Sequence, residues 1–203
     1  MKTLNKDLLL AAKFASKNPS RPVLTSVMVT NEKVVATDSF KLIEITHKTE
    51  DSADFPVVPG VKLVQELEAP ILLPAKDLLA KLKFPTKAPL PILENGALCN
   101  DSEKTIGIVT SDLDTSTTLQ FKKVEGNYPD YSHNMPQEPP VQTILMDAEL
   151  LIEALQAFKD GDTNLVELQF FSNVRPLMLL GKATENENKK ALVMPCKPKT
   201  QNT

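Results

Sequence analysis

The sequence predicts an α+β fold in which a helix followed by antiparallel strands occurs three times, with the helices on one face of the sheets. One observation is a recurring helical pattern, in which an acidic residue precedes paired leucines and apolar residues return every three or four positions. The three copies are LNKDLLLAAKFA from Leu4, LPAKDLLAKLKF from Leu73 and LMDAELLIEALQAF from Leu145. Their acidic residues, Asp7, Asp77 and Glu149, lie 70 and 72 residues apart, which indicates internal repeats.

The second observation is that each helical segment is followed by three β-type runs, rich in aliphatic residues and bounded by turn residues. The runs are RPVLTSVMVT, EKVVATD and KLIEITH; PILENGALC, KTIGIVTSD and TSTTLQFKK; and NLVELQF, RPLMLLGKA and KKALVMPC. In the first two copies a strand closes on a hydroxyl residue and an aspartate, at Asp38 and Asp112, which supports duplication. The third copy follows the proline-rich QEPP at 137–140, and we expect it to need a partner for its own sheet.

Each predicted helix carries start or stop signals. Asn5 and Asp147 are candidate N-caps, since their side chains can accept hydrogen bonds from free backbone N–H groups. Pro74 opens the second helix and Gly161 is expected to end the third. We therefore expect two domains: residues 1–136 with two repeats, and residues 137–203 with the third repeat and a flexible C-terminal tail.

The segment VEGNYPDYSHNMP, residues 124–136, contains both tyrosines of the chain. Its prolines fix the chain direction, while Tyr128 and Tyr131 offer apolar faces with polar tips. We interpret the segment as the exit from the second repeat, anchored by the tyrosines.

Composition narrows the class of protein. Hydrophobic residues make up 41% and charged residues 24% of the 203 residues, which is typical of a globular protein. No run approaches the roughly 20 apolar residues that span a bilayer, and Cys99 and Cys196 are isolated, which favours reduced thiols in the cytoplasm. The net charge of −3 and the presence of only two arginines argue against a sequence-reading nucleic-acid binder.

No arrangement of residues in the sequence predicts catalysis or a cofactor. His47 and His133 are not placed in a recognised catalytic pattern, and Asx turns at strand ends explain Asp38 and Asp112 more simply than a pair of catalytic acids. The six glycines form no phosphate-binding loop, and the aspartates lack the spacing of a calcium loop. We therefore expect a protein that is not an enzyme and has neither metal nor cofactor.

Three segments resemble one family, the bacterial DNA polymerase III β-subunit or sliding clamp. RPVLTSVMVTNEKVVATDSFKL at 21–42 is similar to a middle-domain segment, VEGNYPDYSHNMP to the EG-aromatic-PDY segment, and KKALVMPCK at 189–197 to the C-terminal VMP tail. The usual family chain has three domains of two units each. Residues 1–136 resemble the middle domain and residues 140–199 the second half of the last.

The resemblance implies a closed or partial ring around duplex DNA, with the repeat helices lining the hole. Six lysines on or beside the first two helices would then face DNA: Lys6, Lys13, Lys17, Lys76, Lys81 and Lys83. Ordinary solvated helix faces are the alternative interpretation. The third helix does not fit the DNA-facing picture, because Glu149, Glu153 and Asp160 outnumber Lys159 there.

The resemblance also implies a hydrophobic groove that binds short linear peptides of DNA polymerase, clamp loader and repair proteins. Carried over by position, its residues are Leu24, Thr37, Ser39, Phe40, Lys41, Leu42, Pro129, Leu192, Met194, Pro195 and Cys196. The alternative for each aliphatic position is a core residue. Ser39, Phe40 and Lys41 replace the family's glycine, histidine and arginine, and Cys196 stands in place of a second methionine, so an altered peptide is expected.

The leading expectation is therefore a homo-oligomeric processivity factor for DNA replication. Four chains of three units would supply the twelve units of the family's ring. The alternative is an adaptor or competitor that binds clamp-binding peptides without encircling DNA.

Overall fold

The computed structural model describes residues 3–47, 55–85, 91–159, 164–182 and 188–196. The chain forms two compact units, residues 1–130 and residues 131–203. Part of the loop at 51–70, the expected helix stop at Gly161, Asp160 of the third helix and the expected flexible tail after residue 196 lie outside the described residues. Among the described residues, no helix has the length and apolar character needed to cross a membrane.

The first unit alternates short helices with antiparallel strands. Its elements are β1 (Thr3–Leu4), α1 (Asp7–Ala12), β2 (Ser26–Val29), β3 (Lys33–Thr37), β4 (Leu42–Thr46), β5 (Ile71–Pro74), α2 (Ala75–Lys81), β6 (Gly96–Cys99), β7 (Thr105–Ser111) and β8 (Ser116–Lys122). The predicted strand starts at Arg21 and Pro91 were wrong. The 3₁₀ turns Pro22–Thr25 and Pro91–Glu94 precede β2 and β6. Proline has a fixed φ and no N–H, which suits a helical first turn better than a paired strand.

The two four-stranded sheets of the first unit exchange strands. Their orders are β4-β3-β2-β5 and β1-β6-β7-β8, so the strand before each helix pairs with the first strand after the other helix. The two exchanges match in register, with Val27 opposite Leu73 and Ala97 opposite Thr3. β1 and β5 were not predicted, because Leu4 and Leu73 also fit the helical patterns that follow these short strands.

One hydrophobic core joins both sheets and both helices of the first unit. Leu8 of α1 and Leu78 of α2 are fully buried in it, together with Leu98 and Phe121 from the strands. A smaller cluster packs Phe55 against β6 and β7. In that cluster, burial raises the pKa of the Cys99 thiol to about 11, so the thiol stays protonated at neutral pH.

The second unit has one helix and one three-stranded antiparallel sheet in its described residues. Its elements are α3 (Ala148–Gln156), β9 (Val166–Gln169), β10 (Leu177–Gly181) and β11 (Lys190–Val193), with the strand order β11-β10-β9. Its core contains Phe158, Leu177, Leu179 and Val193. No residue of α3 is fully buried.

The predicted helix caps are present with one adjustment. The Asp147 carboxylate accepts hydrogen bonds from the N–H groups of Glu149 and Leu150, which confirms it as the N-cap of α3. Asn5 lies one residue before Lys6, the N-cap position of α1, and its side-chain oxygen accepts from the Asp7 N–H at 2.8 Å. Both side chains satisfy N–H groups that the helix itself leaves free.

Candidate functional site

The hairpin turn between β3 and β4 holds most of the first-unit residues predicted to bind peptides. The Asp38 carboxylate accepts hydrogen bonds from the N–H groups of Phe40 and Lys41, both at 2.9 Å. These backbone donors, helped by the charge of Lys41, hold the pKa of Asp38 below its ordinary value. The turn places Phe40 at its tip, where the side chain is 97% exposed.

The hydroxyl groups at the base of this turn are engaged within the first unit. The Thr37 hydroxyl donates to the Lys41 carbonyl at 2.8 Å and accepts from the Ser39 N–H at 3.1 Å. Ser39 has a φ of 81°, and its hydroxyl accepts from the Arg21 guanidinium at 3.2 Å. Because a left-handed φ disfavours side chains other than glycine, Ser39 adopts the backbone conformation typical of glycine without being one.

Two further contacts at the turn were not predicted from sequence. The Lys41 ammonium lies 5.1 Å from the centroid of the Phe14 ring, a cation–π distance. The Arg21 contact ties the 3₁₀ turn that carries the buried Leu24 to the Ser39 turn. No local sequence pattern could have indicated them, since Phe14 and Arg21 are distant in sequence from the residues they contact.

The exit segment closes against the same turn. The Thr37 N–H donates to the Tyr128 hydroxyl at 3.0 Å, and Pro129 follows as an exposed residue. Gly126 has a φ of 123°, and a Cβ there would lie 2.8 Å from Cγ2 of Val23, so glycine is required at this close approach. The expectation that Tyr128 anchors the exit of the segment is therefore confirmed by a specific hydrogen bond.

The seven first-unit positions predicted for peptide binding thus lie in or beside one hairpin turn: Leu24, Thr37, Ser39, Phe40, Lys41, Leu42 and Pro129. Leu24 and Thr37 are buried, and Leu42 is half-buried. What this surface offers a ligand is mainly the ring of Phe40, the Lys41 side chain and the face of Pro129. Two positive charges, Lys41 and Arg21, adjoin the apolar groups, and the Lys41 ammonium lies 3.9 Å from the Asp38 carboxylate.

The four second-unit positions predicted for peptide binding lie at the end of β11 and just after it. Leu192 and Met194 are exposed, Pro195 is half-buried and Cys196 is an exposed free thiol. The Cys196 N–H donates to the Leu145 carbonyl at 2.8 Å, which fixes the chain after β11. Two long apolar side chains therefore face solvent at this end of the second unit.

A second hairpin turn, between β7 and β8, repeats the geometry of the first. The Asp112 carboxylate accepts from the Thr115 N–H at 2.7 Å, and Leu113 has a φ of 81°, the same value as Ser39. The Thr115 N–H and hydroxyl hold the pKa of Asp112 below its ordinary value. Asx turns at Asp38 and Asp112 are therefore confirmed, and the carboxylates are used in the turns.

The candidate DNA-facing surface lies on and beside the two helices of the first unit. All six predicted lysines are exposed: Lys6, Lys13, Lys17, Lys76, Lys81 and Lys83. Lys76 and Lys81 lie on α2, and Lys83 lies two residues past its end. Lys81 forms an ion pair with Asp77 at 3.4 Å, and among the described residues none of the other five has an ion pair. In the second unit, α3 presents Glu149 and Glu153 to solvent.

The described residues offer no competing metal site, since none of them form a group of three or more His, Cys, Asp or Glu side chains that could hold an ion. His47 follows β4, and its backbone N–H donates to the Glu32 carbonyl at 2.7 Å. His133 lies in an exposed 3₁₀ turn, Ser132–Asn134.

Comparison of the sequence with protein-family models and with curated proteins gives no match. Comparison of the structure gives strong matches to bacterial sliding clamps, the DNA polymerase III β-subunits. A ligand-bound clamp from Pseudomonas aeruginosa has a TM-score of 0.65 at 18% identity, over 96% of this chain and 50% of that chain. Clamps crystallised with griselimycin give 0.63 at 15% identity for Pseudomonas aeruginosa, over 96% of this chain and 49% of that chain, and 0.61 at 14% for Bartonella birtlesii, over 97% and 51%.

The chain therefore has the mixed α/β, antiparallel architecture of the sliding clamps and spans about half the length of the clamps it matches. The predicted resemblance and the coarse fold class are confirmed.

Proposed function

We propose that this protein is a sliding-clamp-like processivity factor that encircles duplex DNA and tethers replication and repair proteins, without a catalytic step or a cofactor of its own. The observation that carries the proposal is the likeness of 96% of the chain to bacterial sliding clamps. Retention on DNA in this mechanism is topological, so it needs neither base contacts nor a basic protein overall, which agrees with a net charge of −3.

The DNA-facing surface in this proposal consists of the lysines on and beside α1 and α2. Lysine supplies a mobile point charge that neutralises phosphate without reading base edges. Contacts of this kind are independent of sequence and weaken with salt, as a protein that slides along DNA requires. Loose contacts to the phosphates would centre the DNA without halting movement.

The tethering surface is the Phe40 turn of the first unit, which we propose binds short linear peptides of DNA polymerase, clamp loader and repair proteins. An exposed aromatic ring with a lysine and a proline beside it suits an apolar peptide that carries an acidic residue. Leu192, Met194, Pro195 and Cys196 of the second unit stay predictions of the same role; Met194 would supply an adaptable apolar contact.

The same proposal includes the repeat relationship and the assembly. Three segments, each a helix followed by three strands, are taken as three repeats of one unit, so that four chains would supply twelve units. In this proposal the ring of twelve units is a homo-oligomer of the chain.

The test of this function is retention on DNA of two topologies. The protein is loaded onto nicked circular DNA and onto the same DNA after linearisation, and the bound fraction is followed in rising salt. Retention on the circle with release on linearisation is expected, and equal loss from both would contradict encirclement. The double variant Lys76→Glu/Lys83→Glu should load less at low salt, because it replaces attraction to phosphate with repulsion, while the loaded protein still stays on the circle. Lys122→Glu is the matched control, since Lys122 is exposed on β8 next to the buried Phe121 and so points to the opposite side of that sheet.

A second candidate function is favoured by the acidic surface of α3. Glu149 and Glu153 are exposed there, and carboxylates lining a hole would repel phosphate. A non-encircling adaptor or competitor would bind clamp-binding peptides and leave DNA alone. Binding of a fluorescent clamp-binding peptide of a bacterial DNA polymerase, combined with no preference for circular DNA, would favour this alternative.

A further inference from the structure

The described part of the second unit's sheet has an open edge at β9, and the corresponding edge is occupied in both sheets of the first unit. In the part of the chain that the structure describes, β9 has β10 on one side and no strand on the other. The first strand after α1, β2, has β5 on that side, and the first strand after α2, β6, has β1. An unpaired strand edge presents a row of free N–H and C=O groups to another strand.

A donor strand for such an edge lies just before α3. Leu145 precedes Glu149 by four residues, as Leu73 of β5 precedes Asp77 and Thr3 of β1 precedes Asp7. Residues 143–146 pair with no strand among the described residues, and Leu145 is 51% exposed where Leu73 is fully buried.

Residues 143–146 are held beside the chain that follows the last strand of their unit, as β5 is. The Leu145 carbonyl accepts from Cys196, just after β11, and the Leu72 carbonyl of β5, one position earlier in the repeat, accepts from Val124, just after β8. Among the described residues, the second unit therefore has an acceptor edge and a candidate donor segment, and neither pairs with a further strand.

The helix of the second unit, α3, is also less buried than the helices of the first unit. Leu150 of α3 is 50% exposed, whereas Leu8 and Leu78 at the same place in α1 and α2 are 1% and 0% exposed. In the first unit both of those leucines lie in the core where α1 packs with α2. Further apolar side chains beside β9, at Leu165, Leu168, Phe170 and Phe171, are also exposed.

We propose that the second unit pairs with the second unit of another copy of this chain by reciprocal strand exchange, with residues 143–146 of each copy added to β9 of the other. The inference rests on the repeat relationship included in the proposed function. A second copy is the fitting occupant, because the second unit offers one donor strand and one acceptor edge. Such a surface is complementary to itself about a two-fold axis. The exchange within the first unit is itself reciprocal, and there the edges of β2 and β6 are already occupied.

The charge on α3 is compatible with this pairing. Glu153 falls at the position of Ala11 in α1 and Lys81 in α2. Lys81 is exposed at that position although α2 packs against α1, whereas Ala11 is fully buried, so a side chain at this position reaches solvent in one of the two paired helices.

The test uses the full chain at concentrations from about 1 to about 100 μM, a range that detects micromolar association. Sedimentation should give an even multiple of the 22.4 kDa chain mass. Hydrogen exchange at the edge-facing amides of 143–146 and 166–169 should slow as concentration rises, because the amides of β9 that do not bond to β10 gain partners only in the oligomer. A monomer throughout the range, a trimer, or an oligomer in which these amides exchange at the dilute rate would overturn the proposal.

A matched pair of variants locates the interface. Leu150→Asp should halve the particle mass and weaken association more than about 100-fold, since a two-fold interface carries the substitution twice. Leu10→Asp, at a comparably exposed leucine of α1, should leave the mass unchanged. An unchanged mass in Leu150→Asp would overturn the proposal even if circular DNA retains the protein. A halved mass with no retention would contradict only the proposed function.

Discussion

The two units are built from the same kinds of element but differ in how deeply their helices are buried and in how many strands their sheets have. In the first unit, each helix buries a leucine in a shared core and each sheet receives a fourth strand from the other half. In the second unit, α3 buries no residue completely and the sheet has three strands in its described part. One helix packed on a three-stranded sheet leaves part of the helix's apolar surface uncovered, because no further element packs against it.

Strand exchange between the α1 half and the α2 half therefore completes the sheets of the first unit. A short amphipathic helix has little stability of its own, so its burial must come from neighbouring elements. In the first unit, where α1 packs with α2, Leu8 and Leu78 are buried in the core. The corresponding Leu150 of α3 is half exposed.

The largest effect is expected when the corresponding leucines of α2 and α3 are each replaced by alanine. Leu78→Ala should destabilise the first unit by about 3 kcal/mol, because it removes a fully buried side chain and leaves a cavity. Leu150→Ala should cost about 1 kcal/mol or less in dilute protein, since half of that side chain is already in water. Urea denaturation followed by circular dichroism measures both. Equal losses in dilute solution would break the comparison.

A smaller effect is expected at Ser39 and Leu113, the two left-handed turn residues of the first unit. Leu113→Gly should stabilise this unit by about 1 kcal/mol, because the left-handed φ of 81° costs an L-residue energy that glycine avoids. Ser39→Gly should stabilise less, since it also removes the hydroxyl that accepts from Arg21. Ser39→Ala separates the two contributions, as it keeps the unfavourable φ without the hydroxyl. A loss of stability in Leu113→Gly by urea denaturation would contradict the interpretation.

The smallest effect concerns acid and applies to both units. Backbone donors lower the pKa of Asp38 and Asp112 in the first unit, and hydrogen bonds from Lys182 and Gln169 lower that of Glu167 in the second. A carboxyl whose pKa is lowered by folding stabilises the native state above its ordinary value and loses that contribution as pH falls through the folded value. Both units should therefore lose stability below the ordinary values of 3.8 for Asp and 4.5 for Glu.

Asp112→Asn is the control for the acid prediction. Asparagine keeps an oxygen that can accept from the Thr115 N–H but does not titrate in this range. The variant should show a shallower dependence of the urea midpoint on pH between about pH 5 and pH 3. An unchanged slope would mean that Asp112 does not contribute to the acid sensitivity.

Local patterns in the sequence were sufficient for the helices and their caps. The apolar spacing and the acidic residues placed all three helices, and Asp147 was recognised as a cap from its position alone. The turns at Asp38 and Asp112 were also predictable, because an aspartate hydrogen-bonds to backbone groups only two or three residues away. The predicted peptide-binding positions came from resemblance to a family, and the structure places seven of them around one turn.

Contacts between distant residues could not be predicted. The Arg21–Ser39 and Tyr128–Thr37 hydrogen bonds join residues that no sequence period relates. β1 has only two residues, too few to show alternation, and becomes a strand because the edge of β6 lies beside it.

By itself, the sequence indicated where three helices lie to within a few residues, because helix formation depends on apolar spacing and on hydrogen bonds between residues close in sequence. Only the tertiary structure decided which strand completes which sheet, and hence that Leu78 is buried and Leu150 is not. Both leucines follow an acidic residue in the same helical pattern. Their different burial depends on whether a second half is present to cover them, and that is a property of the assembled fold.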